Sequence, residues 1–164
     1  SVSWNTADGF GAALNAFIGQ NYGAGKMDRV KKGYRASLIT VGVWGLFITL
    51  LFVCFPEQIS GVFFHEPTAI ATAVGYMIII GYSEAFMSVE LMTVGALSGL
   101  GKTHLCSVIS ITLTSARIPL AILLSGTALG LLGIWWALTA TSVVKGIVFV
   151  MAFYWITARM RNSK

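Results

Sequence analysis

Five ionisable residues lie within long apolar stretches of this 164-residue chain: Asp8, Glu84, Glu90, Arg117 and Lys145. At the centre of a bilayer-spanning helix each costs about 2.5–3.5 kcal/mol on insertion scales, so each needs a partner, a water-filled space or a function. Counting a rise of ~1.5 Å per residue from the nearest basic end of its segment places Glu90 roughly 15 Å deep and Lys145 roughly 20 Å deep, both near a midplane. Asp8, at roughly 15–18 Å, is also central, whereas Glu84 (roughly 24 Å) and Arg117 (roughly 18–20 Å) lie toward the other face. Depth alone pairs Glu90 with Lys145 and Glu84 with Arg117. Two chemistries fit such pairs. They are structural ion pairs that fix helix register, or they line a wet cavity where a carboxylate binds H⁺ or Na⁺ and a substrate cation competes for it. Burial raises a carboxylate pKa and a neighbouring ammonium lowers it, which is how such a group is tuned. Six residues apart on one helix, Glu84 and Glu90 point about 120° apart, so they do not form one two-carboxylate site unless the helix breaks between them.

The elements that hold these residues follow from composition. Apolar residues make up 56% of the chain and charged residues 10%, with a mean hydropathy of +0.80. Soluble domains carry about 25% charged residues, so lipid is the solvent for much of this chain. The net charge of +5 sits in short breaks between apolar runs rather than along one helix stripe, which argues against a nucleic-acid partner. Spans are expected at residues 4–18, 36–55, 68–100, 105–124 and 134–156, an all-α bundle of five transmembrane helices. The third is too long for one straight span, and Glu84 and Gly95 mark places for a kink.

Basic and non-basic connections alternate without exception. Lys26, Arg29, Lys31, Lys32 and Arg35 separate the first two spans, and Lys102 follows the third. Arg159, Arg161 and Lys164 follow the fifth. The connections from Pro56 to Pro67 and from Ser125 to Leu132 hold no Lys or Arg. The positive-inside rule therefore puts the amino end outside and the carboxyl end in the cytoplasm of a multi-pass protein of the cell membrane. Ser1 to Asp8 has no basic region or cleavage site of a signal peptide, and the absent initiator Met suggests a piece of a longer protein.

Several motifs fail on inspection. Gly101-Lys102-Thr103 has the ending of a phosphate-binding loop, but its first glycine would have to stand where Ala96 does. His65 and His104 fall on opposite faces and cannot share a metal. Cys54 and Cys106 are likewise too far apart to bridge. No nucleophile, base and oxyanion set is visible, so nothing points to an enzyme or a cofactor. Gly19/Gly23 and Gly95/Gly99 have the GxxxG spacing that lets helix backbones meet in lipid, a pattern that 18 glycines also produce by chance.

Four stretches in order, spread along nearly the whole chain, resemble the multidrug and toxic compound extrusion (MATE) transporters. They are Gly19-Gln20-Asn21-Tyr22-Gly23-Ala24-Gly25 with Arg29, Gly95 through Thr103, Arg117-Ile118-Pro119, and Gly130 through Trp136. Within them Gly19, Gln20, Asn21, Gly23, Gly99 and Gly101 carry the motif. The resemblance implies part of the carboxy-terminal six-helix lobe of a twelve-span transporter, with spans eight to twelve present. It also implies export of organic cations in exchange for Na⁺ or H⁺ by alternating access, with the amino-terminal lobe as partner. Several members place an acid in the tenth span where this chain has Met87; Glu90, one turn away, is the expected substitute, with Asp8 behind it and Lys145 as charge partner. A lipid-linked saccharide flippase of the same superfamily and a non-transporting scaffold subunit stand as alternatives.

Overall fold

A computed structural model describes residues 2–162, which form six helices: α1 (Val2–Gly23), α2 (Met27–Cys54), α3 (Pro56–Phe63), α4 (Pro67–Gly99), α5 (Thr103–Ser125) and α6 (Leu131–Asn162). No strand occurs among the described residues. This is an all-α protein, and α2, α4, α5 and α6 are each long and apolar enough to cross a membrane. The first expected span is the exception. Helix α1 has the length, but Asn5, Asp8, Asn15 and Gln20 keep it below that apolarity.

Helices α1, α2, α5 and α6 outrun their expected segments, and α4 matches its own to within one residue at each end. Arg29, Lys31, Lys32 and Arg35 were expected in a connection but belong to the opening turns of α2, and Arg159 and Arg161 to the last turn of α6. A helix satisfies its own backbone hydrogen bonds, so it has no reason to unwind where hydrocarbon gives way to water. For the same reason α4 runs unbroken for 33 residues, roughly 50 Å, through both Glu84 and Gly95. No break in it separates Glu84 from Glu90. The connection after Cys54 is partly helical too: Pro56 occupies the first turn of α3, where its missing N–H costs nothing, and Glu57 sits beside it at the positive end of the helix dipole.

Helix α4 is the centre of the bundle and packs against α1, α2 and α6, with α3 at one end. Helix α5 lies outside and leans almost entirely on α6. Contacts between Gly11 and Gly95 and between Gly19 and Gly99 show α1 running parallel to α4. The pairs Phe86–Gly146 and Ile79–Thr139 do the same for α6, while Gly45–Ala85 and Gly81–Phe52 make α2 antiparallel. The basic residues of the α1–α2 and α4–α5 connections and of the end of α6 thus gather at one end of the bundle, hereafter the basic end.

The closest approach is α1 against α4. A Cβ on Gly95 would stand 2.1 Å from the Gly11 carbonyl oxygen, so only hydrogen fits there. The buried core lies in the basic half: Leu14, Ile18, Val30, Met92, Leu97 and Phe149 surround Tyr34. Tyr34 stacks on Phe153 at 3.6 Å between ring centroids and shares a 2.9 Å hydrogen bond with Thr93. Gly101, at φ 73°, ends α4 with an Lys102 N–H to Leu97 carbonyl bond, the left-handed cap that glycine adopts without strain.

Candidate functional site

The half of the bundle remote from the basic end is hollow. A cavity of about 890 Å³ lies among α1, α4 and the first turns of α6, roofed in part by Phe64. Its walls are mostly apolar and aromatic, with Trp4, Met77, Met87 and an edge-to-face corner of Tyr76 and Trp135, whose ring centroids are 5.5 Å apart. Glu84 is the only charged residue lining it among the described residues.

Three contacts set Glu84 in place. The Ser3 hydroxyl of α1 donates to its carboxylate. One turn away, Thr49 of α2 donates to the Gly81 carbonyl at 2.7 Å, and Thr139 of α6 donates to the Ile79 carbonyl at 2.9 Å. The stretch of α4 that carries Glu84 is therefore pinned from both sides, and the carboxylate is held on the α1 face. Hydroxyl residues in a membrane helix commonly bond their own chain four residues back. Here Ser3, Thr49 and Thr139 reach across helices instead.

Glu90 has a different setting. Its Oε1 lies 2.6 Å from Lys145 Nζ, and the two side chains are 14% and 10% exposed, so the pair is nearly dry. Thr114 of α5 accepts a second bond from Lys145 at 3.4 Å. Glu90 is not among the cavity's lining residues. The 120° separation of the two carboxylates on α4 is the reason: one faces α1 and the cavity, the other faces α6.

Of the two pairings expected from depth, Glu90 with Lys145 is present and Glu84 with Arg117 is not. Arg117 Nε donates to Thr141 Oγ1 at 2.8 Å and its Nη2 to Ser142 Oγ at 3.4 Å. Helix α5 packs mainly on α6 and only lightly on α4, so Arg117 meets α6. Equal depth does not give equal azimuth. Asp8 is exposed on α1 and does not line the cavity.

The glycine motif residues sit at the opposite end. Gly19 faces Gly99, and a Cβ on Gly99 would meet the Asn15 carbonyl at 2.6 Å. The Asn21 amide donates to the Phe17 carbonyl at 2.8 Å, Gln20 and Gly23 are exposed, and Gly101 forms the α4 cap. These residues serve packing and turn geometry, and none lines the cavity. Two contributors escaped the sequence reading. Ser3 precedes the first expected span, and Trp135, read only as part of the Gly130 through Trp136 stretch, reaches the cavity because α6 is set against Gly75. Among the described residues, no three His, Cys, Asp or Glu side chains gather as a metal site.

A helical bundle with one dry ion pair and one carboxylate in an apolar cavity defines a multi-pass membrane protein with an ionisable chamber. Residues 5–123 match the MatE family model, and the chain belongs to that family. It is 30% identical over 169 residues to the probable multidrug resistance protein NorM of Pseudomonas aeruginosa, covering 97% of this chain and 34% of that protein. A second relative of that name, from Thermotoga maritima, is 26% identical over 155 residues, which is 93% of this chain and 33% of the relative. Multidrug and toxin extrusion protein 1 of Homo sapiens is 22% identical over 144 residues, 87% of this chain and 25% of that protein. The chain spans about a third of the length of the first two relatives it matches.

Proposed function

We propose that this chain is the carboxy-terminal lobe of a membrane exporter that exchanges organic cations for H⁺ or Na⁺, with the amino end outside and the carboxyl end in the cytoplasm. Glu84 is the exchanging group. One observation carries the assignment: Glu84 is the carboxylate that faces the cavity, whereas Glu90 already has a counter-ion in Lys145. A carboxylate among aromatic walls can be neutralised by a proton, by a small cation or by the charge of a drug, and competition among these is what exchange requires. Glu90, preferred from sequence, becomes the structural partner of Lys145. Asp8 is left for a surface that the longer polypeptide covers. Membership of the MatE family and the multidrug names of the relatives support the export reading, and the alternation of basic connections supports the orientation. Transport needs a second lobe, because alternating access works by one lobe moving against the other.

The test is ethidium efflux from a pump-deficient host that expresses the full polypeptide, wild type against Glu84→Gln and Glu90→Gln at matched membrane levels. The expected outcome is efflux lost in Glu84→Gln. If Glu90→Gln alone stops efflux while Glu84→Gln pumps normally, the exchanging group is the Lys145-paired carboxylate and the assignment is wrong.

A further inference from the structure

We infer that the basic end of the bundle binds the phosphate of an anionic phospholipid, at the seam between α2 and α6, through Lys31, Arg35 and Arg161. The inference needs only that these helices cross a membrane, and it is independent of the exchange role given to Glu84.

Helices α2 and α6 are joined here through aromatic rings. Tyr34 stacks on Phe153 and meets Tyr154 edge to face, with 5.7 Å between the centroids of the two tyrosines. Gly33, beside Tyr34, abuts Phe17 of α1. With about 100° per residue, Lys31 and Arg35 stand on the other flank of Tyr34, away from α1 and next to α6. Arg161 lies about two turns past Tyr154 on the same face of α6. Arg159 is turned to the other side, where its guanidinium sits over the Trp155 ring at 5.3 Å. Arg35 and Arg161 are exposed and Lys31 is half-buried.

Because α2 and α6 are antiparallel, these cations converge. Cα–Cβ bonds tilt toward a helix's own amino end, which is the basic end for α2 and the remote end for α6. Arg35 therefore leans out toward water, and Arg161 leans back toward the bilayer. Counted from the tyrosine pair at ~1.5 Å per residue, Arg35 starts roughly 1.5 Å on the remote side and Arg161 roughly 10 Å toward water, so their guanidinium groups meet between. Lys31, roughly 4.5 Å beyond Tyr34, starts at that level. Tyrosines and tryptophans gather at the headgroup layer, so Tyr154 and Trp155 put this level there. Asp28, about one turn farther out on α2, is the nearest acid on that helix, and no ion pair joins it to these cations among the described residues. Two guanidinium forks and an ammonium suit the oxygens of a phosphate, and basic pockets between spans are where acidic headgroups settle. Exposed Ile39 of α2, one turn deeper than Arg35, and Ile147 and Met151 of α6 continue the seam into hydrocarbon as a track for acyl chains.

The measurement is native mass spectrometry of the full polypeptide in detergent, titrated with phosphatidylglycerol and, separately, with zwitterionic phosphatidylcholine. The first phosphatidylglycerol is expected to bind at least about tenfold tighter than phosphatidylcholine, and each of Lys31→Gln, Arg35→Gln and Arg161→Gln to weaken it about fivefold. Arg35→Lys, which keeps the charge and loses the fork, should fall between wild type and Arg35→Gln. Arg159→Gln removes the same charge from the far side of α6 and should stay within about twofold of wild type. Equal binding of the two lipids overturns the proposal, and so does an equal loss in Arg159→Gln, which would show a diffuse surface field instead of a site. Unchanged affinity in all three Gln variants overturns it as well, because a carboxylate of the longer polypeptide would then hold these cations. Complete displacement of the lipid by millimolar inorganic phosphate would make the site one for a soluble anion and sink the lipid assignment.

Discussion

The two halves of this bundle are built from the same helices and solve opposite problems. In the basic half, α1 and α4 meet backbone to backbone at Gly11 and Gly95, Tyr34 stacks on Phe153, and every large side chain of the cluster is buried. In the remote half the same helices enclose a cavity of about 890 Å³ with a carboxylate on its wall. Apolar side chains gain little by leaving lipid for protein, so tight packing in a membrane comes from close backbone approach and from hydrogen bonds. Beyond Gly11 and Gly95, α1 and α4 are bridged by Ser3 and Glu84 rather than backbone to backbone, and a cavity opens beside them. The charged groups follow the same division: Glu90 and Lys145 cancel each other at the middle, and Glu84 beyond them is left to meet something from outside.

That contrast is breakable, and the largest effect should come from the ion pair. Lys145→Met leaves Glu90 without its counter-ion and should destabilise the bundle by about 3–5 kcal/mol, whereas the double variant with Glu90→Leu should recover most of that loss. Thermal melts followed by fluorescence-detected size exclusion give the comparison; additive losses in the double variant would show that the pair is not a unit. Next comes Gly95→Ala, whose methyl group would strike the Gly11 carbonyl. A loss of about 1–3 kcal/mol is expected by the same melt, and an unchanged melt would mean that α1 is free to move off α4. Smaller again is Tyr34→Phe, which removes the bond to Thr93 but keeps the stacked ring and should cost about 1 kcal/mol. Smallest of all is Thr72→Val in the cavity wall, with a melting point within about 1 °C of wild type, because nothing packs against it from the hollow side.

Much of this was open to a reader of the sequence, and the parts that were not share a cause. Apolar runs and charge alternation locate helices along the membrane normal, because depth is one-dimensional and each residue adds a fixed rise. The pairing of Glu90 with Lys145 was readable from depth because α4 and α6 are neighbours. The pairing of Glu84 with Arg117 failed because the angular position of α5 is set by its packing on α6, which no count of residues reveals. The same holds for Gly11: GxxxG spacing singled out Gly95 and Gly99 but could not name the partner across the interface, and Gly23 in the first such motif has no neighbour within 4 Å. Glu84 was ranked behind Glu90 because Glu90 lies one turn from Met87 and nearer the midplane. Its place was decided by the 120° between them, which only the arrangement of α1 and α6 around α4 turns into a cavity on one side and a dry pair on the other.

The central position of α4 also bears on how the chain is made. A ribosome delivers helices in order, so Glu90 enters the bilayer well before α6 and Lys145 exist to meet it. Until then the carboxylate is an orphan in hydrocarbon, without the partner that offsets its burial. Arrival of α6 supplies Lys145, the cation that pairs with Glu90, and Thr114 and Arg117 of α5 bond to the same helix. A helix made after α4 thus closes the charge of α4, and assembly of this lobe has a direction in time as well as in space.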